Sequence, residues 1–292
     1  MQKFGRNYKL YVQPTNSSTF IEITYPLTLE FDISRDTSSS INQATFRIYN
    51  LSEKNRNAIF KDRYSMLDNG VGTGAKKVIL QAGYGDNLST VFQGSVLEAY
   101  SYRQMSEVVT YINALDGGYG IANSFVNFSV SKGTPKQDIF NQLANSILGV
   151  DKGSVGTVAG SIDRPIAYNG NGWAFLKRDF SGDVFIDLEK INLLKPNEVI
   201  NASIPVITSA SGLLGTPMRQ NTNLTIDMIF EPRIQVGNIV EVKSSINSLF
   251  NGQFKTTGIK HSGTISGAIN GDCKTTLQLF IGAYLFGGLK KV

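Results

Sequence analysis

The feature that most constrains this chain is a recurring alternation of apolar and polar residues at every second position. Leu27, Leu29, Phe31 and Ile33 make one such run, and Ala44, Phe46 and Ile48 make another. Val78, Leu80 and Ala82 follow, then Val108, Thr110, Ile112 and Ala114. In extended backbone successive side chains point to opposite faces, so each run offers one face to a core and the other to water. The first third therefore reads as antiparallel sheet with one buried face. A short helix interrupts it at Ser52 to Phe60, with Ser52 as N-cap. Gly70, Gly72 and Gly74 mark a loop.

The middle of the chain changes period. Thr134, Pro135 and Gln137 fit the N-cap, first and third positions of a capping box. Ile139, Phe140, Leu143, Ala144, Ile147 and Leu148 then form one apolar stripe, and Gly149 suits the stop. Residues 150–172, rich in Gly, Ser and Asn, read as loop. Trp173 to Phe180 reads as a second short helix, and Val184 to Leu194 as a hairpin before Pro196. This is a compact α+β insert. Strand patterns return at Leu224, Ile226, Met228 and Phe230, at Ile239 to Val242, at Phe254 to Ile259 and at Thr276 to Phe280.

The last third echoes the first. Val78 to Leu80, a loop and Phe92-Gln93-Gly94-Ser95-Val96 are answered by Ile239 to Val242, a loop and Phe250-Asn251-Gly252-Gln253-Phe254. Each is followed by a closing strand, at Thr110 to Leu115 and at Thr276 to Ile281. Two unrelated glycine-containing strands would give the same string. A true echo means two related β-barrels with an insert between them.

At 292 residues the chain has room for roughly two domains at about 150 residues each. A hydrophobic share of 41% excludes a disordered tail, and charged residues reach only 17%, where an average soluble domain has about 25%. Uncharged polar residues fill the gap. The net charge of +5 is mild and the bases are scattered, which argues against a dedicated nucleic-acid footprint. Cys273 and His261 are the only residues of their types, so an internal disulfide is excluded and a zinc site lacks its usual ligands. The opening MQKFGRNYKLYVQ carries no apolar segment, and no run approaches the roughly 18 residues of a membrane span. The expectation is a chain with no membrane anchor, made in a reducing cytoplasm.

Chemistry is hard to find. Gly70 to Lys77 resembles a phosphate loop but lacks the Gly-Lys-Ser/Thr ending and a following helix, so a surface loop is the reading. His261 ends a strand with no Gly-x-Ser-x-Gly elbow to serve, and Cys273 sits in a turn beside Asp272. Asp183 with Asp187 and Glu189, or Asp32 with Asp36, could supply a glycosidase pair. They fall instead at outward positions of short alternating runs, which reads as solvated face. Trp173 alone is a thin carbohydrate platform. Lys136 and Asp138 read as a solvated helix face, and Lys290 and Lys291 as a solvated tail. No catalytic, cofactor-binding or metal-binding residue is assigned, and no enzyme is expected.

Several strings, taken in order, resemble the baseplate hub proteins of tailed bacteriophages, especially the Mu-like contractile-tailed group. They are Ala44-Thr45-Phe46-Arg47-Ile48-Tyr49-Asn50-Leu51-Ser52; Ala82-Gly83-Tyr84-Gly85 with Val91-Phe92-Gln93-Gly94; and Gly133-Thr134-Pro135. Ser211 to Pro217, Glu231 to Gly237 and Asn251 to Gly263 complete the set. The stretch 150–165 is looser than that pattern. The resemblance implies a mainly β chain with two tube-like β-barrel domains, 1–117 and 201–292, flanking a small α+β middle domain, 118–200. It implies a homotrimer in the virion, assembled in the host cytoplasm, that adapts a hexameric tail tube to a threefold central spike. Its channel would pass the genome at ejection. The partners so implied are the tail tube protein or a tube-terminating ring, the central spike protein, other baseplate proteins and the tape measure protein. DNA would pass through the lumen without specific binding. The alternatives are the hub of a headless contractile injector or of a non-contractile tail, a tail-associated cell-wall hydrolase, and a barrel binding single strands through Tyr100, Tyr102 and Arg103.

Overall fold

The computed structural model describes residues 4–14, 17–38, 41–62, 76–180, 184–200, 203–246, 250–268, 271–281 and 288–292. The chain is mainly β. Strands β1 (Arg6–Val12), β2 (Ile21–Thr24), β3 (Leu29–Asp36) and β4 (Gln43–Tyr49) precede helix α1 (Glu53–Ile59). Then come β5 (Lys77–Tyr84), β6 (Asn87–Gln104) and β7 (Glu107–Leu115). A smaller portion follows: α2 (Gly118–Asn123), β8 (Phe125–Val130), α3 (Lys136–Ala144), β9 (Asp151–Val155), β10 (Ile166–Asn171), α4 (Gly172–Asp179), β11 (Val184–Asp187) and β12 (Lys190–Leu193). The rest is β13 (Glu198–Val199), β14 (Val206–Ile207), β15 (Leu213–Gln220), β16 (Asn223–Ile229), β17 (Ile239–Val242), β18 (Gly252–Ile265), β19 (Cys273–Phe280) and β20 (Lys290–Lys291).

One large sheet runs in the order β15-β16-β19-β18-β3-β4-β7-β6-β5-β1-β2, with β17 and β14 branching from β18. Its alternating residues behave as expected: Leu29, Phe31, Ile33, Phe46, Ile48, Ile112 and Ala114 are buried while their sequence neighbours face water. Three apolar clusters result. One is drawn mostly from β1 to β7, with Phe230 and Ile265 added. A second lies mostly in β14 to β19, and a third spans Ile121 to Leu193.

Strands β1 and β2 were not visible as such. The opening does have a buried alternation, Tyr8, Leu10 and Val12, but only three positions long. Ser52 caps α1 as expected, its hydroxyl accepting from Asn55 N at 3.4 Å. The capping box at α3 is not formed. Pro135 occupies the cap, and the Thr134 hydroxyl turns back to donate to Ser131 O at 2.8 Å. Proline at the cap removes one orphan donor without help from a side chain. Helix α3 ends at Ala144, so Ile147 is buried from a following turn, Leu148 is exposed and Gly149 (φ 73°) lies in that turn. The expected loop at 150–172 contains β9 and β10; β10 pairs with β8 and β9 lies parallel to β12. Glycines there hid strands held by distant partners. The second helix and the hairpin stand as α4 and β11–β12. Gly70 to Ala75 lie outside the described residues.

Phe46 is fully buried and meets Phe92 edge to face, centroids 5.9 Å apart. Phe46→Ala leaves a cavity at the middle of the large sheet and is expected to cost about 3–5 kcal/mol in a urea titration.

Candidate functional surface

The echo between the chain's ends is a repeated strand order. In the first set the ladder runs β3-β4-β7-β6-β5, and in the second β15-β16-β19-β18-β17. Even an irregularity recurs. The pairing of β6 with β7 slips between Val96 and Glu98, and that of β18 with β19 slips between Thr256 and Gly258. Ser95 faces Leu115 before the first slip and Lys255 faces Phe280 before the second. Ser95 and Lys255 also face Lys77 and Ile239 on the other side, which makes them counterparts. Counted from them, Gly94 corresponds to Phe254, not to Gly252. The aromatic-x-Gly strings are thus two residues out of register, although the strands carrying them do correspond. Gly94 has a local cause, since a Cβ there would lie 2.5 Å from Leu115 O.

Strand β18 joins the two sets by pairing antiparallel with β3 from Gly258↔Asp36 to Ile265↔Leu29. Eight adjacent strands, β15 to β6 in sheet order, thereby share one outward face, polar over its middle strands, with Leu214 and Met218 exposed on β15 and Tyr100 and Tyr102 on β6. Along it the charges of opposite sign are close. Lys260 Nζ lies 3.0 Å from Asp32 and Arg47 Nη1 lies 2.8 Å from Glu30, which also accepts from the Tyr49 hydroxyl at 3.2 Å. Thr276 donates to Asp227, and Asn113 to Glu98 at 3.4 Å. Tyr100 stacks against Tyr102 and Tyr111, centroids 6.2 and 5.1 Å away. Lys260 and Arg47 thus sit beside carboxylates, while Asp227 and Glu98 are held by uncharged donors.

Behind the β3–β18 junction lies a buried polar cluster. Arg35 is the fourth inward position of the run that begins Leu29, Phe31, Ile33. Its Nη1 donates to both carboxylate oxygens of Asp187, at 3.2 and 3.3 Å. Asp187 ends β11, and the turn after it, Leu188 and Glu189, has φ of 55° and 54°. Both turn amides donate to Asp116 at 2.7 Å. Glu189 accepts from Lys77 Nζ and Gln93 Nε2, each at 2.8 Å, and Asn42 Nδ2 donates to Ile186 O at 2.8 Å. The β11–β12 tip is thus gripped by residues within β3, β5 and β6 and by Asn42 and Asp116, which flank β4 and β7. Asp187 and Glu189 are buried anchors, not solvated face, because this tip inserts into the sheet's own core. Asp183 lies outside the described residues.

His261 sits in the middle of β18, not at its end. It is fully buried, its Nδ1 is 2.9 Å from the Thr275 hydroxyl and its ring meets Phe230 edge on. Burial, then the charge of Arg35, holds its pKa well below the usual imidazole range. Cys273 begins β19 and donates to Thr264 O at 3.2 Å, while burial pushes its thiol up. Trp173 is buried in the third cluster. Lys136 is half-buried and Asp138 exposed. Lys290 and Lys291 are exposed, yet their backbone pairs with β13, so this is a docked strand and not a free tail. Among the described residues no group of three His, Cys, Asp or Glu is placed to hold a metal, and no helix is long and apolar enough to cross a membrane. Sequence reasoning missed Arg35, Asp116 and Lys77. The available signal was Arg35, a charge in the inward phase of an apolar run.

Known structures share this architecture. The 43 kDa tail protein of prophage MuSo2 from Shewanella oneidensis has a TM-score of 0.60 at 9% identity, over 94% of this chain and 98% of that one. A tail protein from Neisseria meningitidis MC58 gives 0.59 at 11%, over 96% and 98%. The E. coli c3393 protein, a type VI secretion component with structural similarity to the T4 tail proteins gp27 and gp5, gives 0.60 at 11%, over 93% and 76%. A comparison with curated protein sequences found no match. The chain shares the fold of these tail and secretion-system proteins. The family model described as Baseplate hub gp41 matches residues 10–264, and the chain belongs to that family of structural baseplate hubs.

Burial first, then the charge of Asp187, pushes the Asp116 carboxyl up to about 8. The folded protein then holds a proton that the unfolded chain, with a carboxyl near pKa 4, releases. Asp116 therefore contributes a loss of stability as pH rises from about 4 to about 8, which His261, held neutral in the fold, opposes below about 6.5. Between about 6.5 and 8 stability should fall with pH, and Asp116→Asn is expected to remove that fall in urea titrations; an unchanged slope would mean Asp116 is ionised in the fold. Arg35→Met strands Asp187 without its partner and should cost about 3–5 kcal/mol in the same titration at pH 7.

Proposed function

We propose that the chain is a non-enzymatic, homotrimeric hub at the tip of a tail, in which 1–117 and 201–292 act as tube-like barrels around the 118–200 unit. The observation that carries this reading is the strand order repeated within one chain, down to the same slip at Val96/Glu98 and Thr256/Gly258. The three apolar clusters support the three units. A ring of head-to-tail contacts closes when the rotation per unit is right. Three chains with two similar units each supply six positions, so one face can meet a hexameric tube while the other meets a threefold spike. That is a symmetry adaptor.

The middle strands of the eight-strand face, with their paired charges, suit the wall of a channel. DNA binds surfaces that neutralise many phosphates and release counterions, and this face offers cations already beside carboxylates. A genome could slide past without specific binding. The partners on this reading are the tail tube protein or a tube-terminating ring, the central spike, other baseplate proteins and the tape measure protein, with assembly in the host cytoplasm. The fold shared with a type VI secretion component makes the hub of a headless injector the neighbouring reading.

Reconstruction of the intact tail tip is expected to show three copies of this chain around a continuous lumen. Six copies in one ring, or density for the chain in a sheath, would overturn the adaptor. Clearing of cell-wall material by the purified chain in a zymogram would overturn the non-enzymatic part.

A further inference from the structure

The root and the tip of the β11–β12 hairpin are held in different ways. Val184, Ile186, Ile191 and Leu193 lie in the third apolar cluster and Phe185 in the second, so apolar packing fixes the root. The tip carries two carboxylates, Asp187 and Glu189, into a polar seat on the first strand set. Arg35, Asn42, Lys77, Gln93 and Asp116 make that seat. Leu188 and Glu189, at φ of 55° and 54°, hold a left-handed backbone that residues with a Cβ seldom adopt. Such a turn persists only where its surroundings over-determine it, and here both of its amides end on Asp116.

The charges of the seat balance only with a proton bound. Asp116, Asp187 and Glu189 are all buried, with Arg35 set on Asp187 and Lys77 on Glu189. Among the described residues that leaves Asp116 with no cation of its own. The surrounding elements supply none. His261 of β18 lies beside Arg35 and is held neutral. Lys177 of α4 donates to Val184 O at 3.1 Å and feels the charge of Asp36. Asp151 of β9 reaches Glu189 O through its amide, Lys190 of β12 pairs across the hairpin with Asp187, and α2 has no charged residue. At Asp116 itself, burial and the Asp187 charge outweigh the two amides and Arg35.

A crevice beside the tip gives it room to move. Asp187 and Leu188 line this space of about 340 Å³ together with Lys152, Ser154, Asn192 and Gln235. We propose that the β11–β12 tip is a proton-held latch, closed on the first strand set while Asp116 keeps its proton and open when that proton leaves. With Asp116 protonated the seat is neutral. Once it ionises, a second negative charge stands beside Asp187 in a buried site that holds one guanidinium. Tilting the tip into the crevice separates the two carboxylates and lets water reach them, and the turn is released from its left-handed backbone. The root stays in its apolar clusters. What the latch sets is the attachment of the middle part of the chain to the first strand set, within one molecule and without reference to the ring reading.

Hydrogen exchange on the full chain, followed by mass spectrometry from about pH 6.5 to about pH 9, tests the latch. After correction for the intrinsic pH dependence of exchange, peptides holding Leu188 and Glu189 should keep their protection to about pH 8. They should lose it about tenfold by about pH 9, because one proton links closure to pH. Peptides from β4 and α4 should hold theirs throughout. Equal protection of the tip across the range would overturn the latch. So would a loss shared by β4 and α4, which is global unfolding. Asp116→Asn has no proton to lose and one acceptor for two amides. Its tip should exchange faster than the parent's at the low end of the range and show no further loss at the high end. A loss that persists in this variant would overturn the assignment to Asp116. Asp187→Asn removes the neighbouring charge, leaves Asp116 in place and should abolish the alkaline loss too, which decides the matter if Asp116→Asn does not fold.

Discussion

The ladder between β18 and β3 is the contact on which the rest depends. Its register, from Gly258↔Asp36 to Ile265↔Leu29, joins strands more than 220 residues apart and makes one sheet from two sets. Without it the polar face would be two separate patches and the first set would have a second bare edge. The ladder also fixes which way every side chain in the junction points. Shifting β18 by one residue would turn Ile259, His261 and Ile265 to water and Lys260 into the core. Alternating burial across both strands enforces the register, because each wrong placement exposes apolar surface and buries a charge.

The polar cluster behind the ladder works with it. Arg35 and His261 are both fully buried on the inward side of the junction. Arg35 is held by Asp187 from the β11–β12 hairpin and reaches Ile234 O at 3.4 Å, so one guanidinium touches all three parts of the chain. A buried pair of this kind adds little net stability over apolar packing, but losing one partner is costly. That asymmetry suits a part that must hold neighbouring elements at one angle. The hairpin tip can be satisfied in only one seat, where Asp116 takes its two amides and Lys77 and Gln93 take its carboxylate.

The repeat leaves the two strand sets with different edges. A strand that pairs on both sides within the chain has a counterpart open on one side, and the opposite holds for its partner. The two sets depart from each other at Gly215, Thr216 and Pro217 of β15, where β3 has only Phe31 between Glu30 and Asp32.

Much of the sheet was legible because alternation is local: Leu29 to Ile33, Ala44 to Ile48 and Leu224 to Phe230 each announce a strand and its buried face. The family's ordered strings were legible too, and with them the class of protein. The strands at 151–155 and 166–171 were not, since Gly, Ser and Asn forgo their turn preference only when a distant partner supplies the ladder. Arg35, Asp187 and Glu189 looked like ordinary polar positions, and only the insertion of one hairpin tip into another part of the chain buried them. The amino-acid order by itself determined the alternating strands and which face of each is dry, because both follow from neighbours two residues away. The tertiary structure alone decided strand order, register and the open edges, because those depend on hydrogen bonds between residues that the chain brings together only after it has folded.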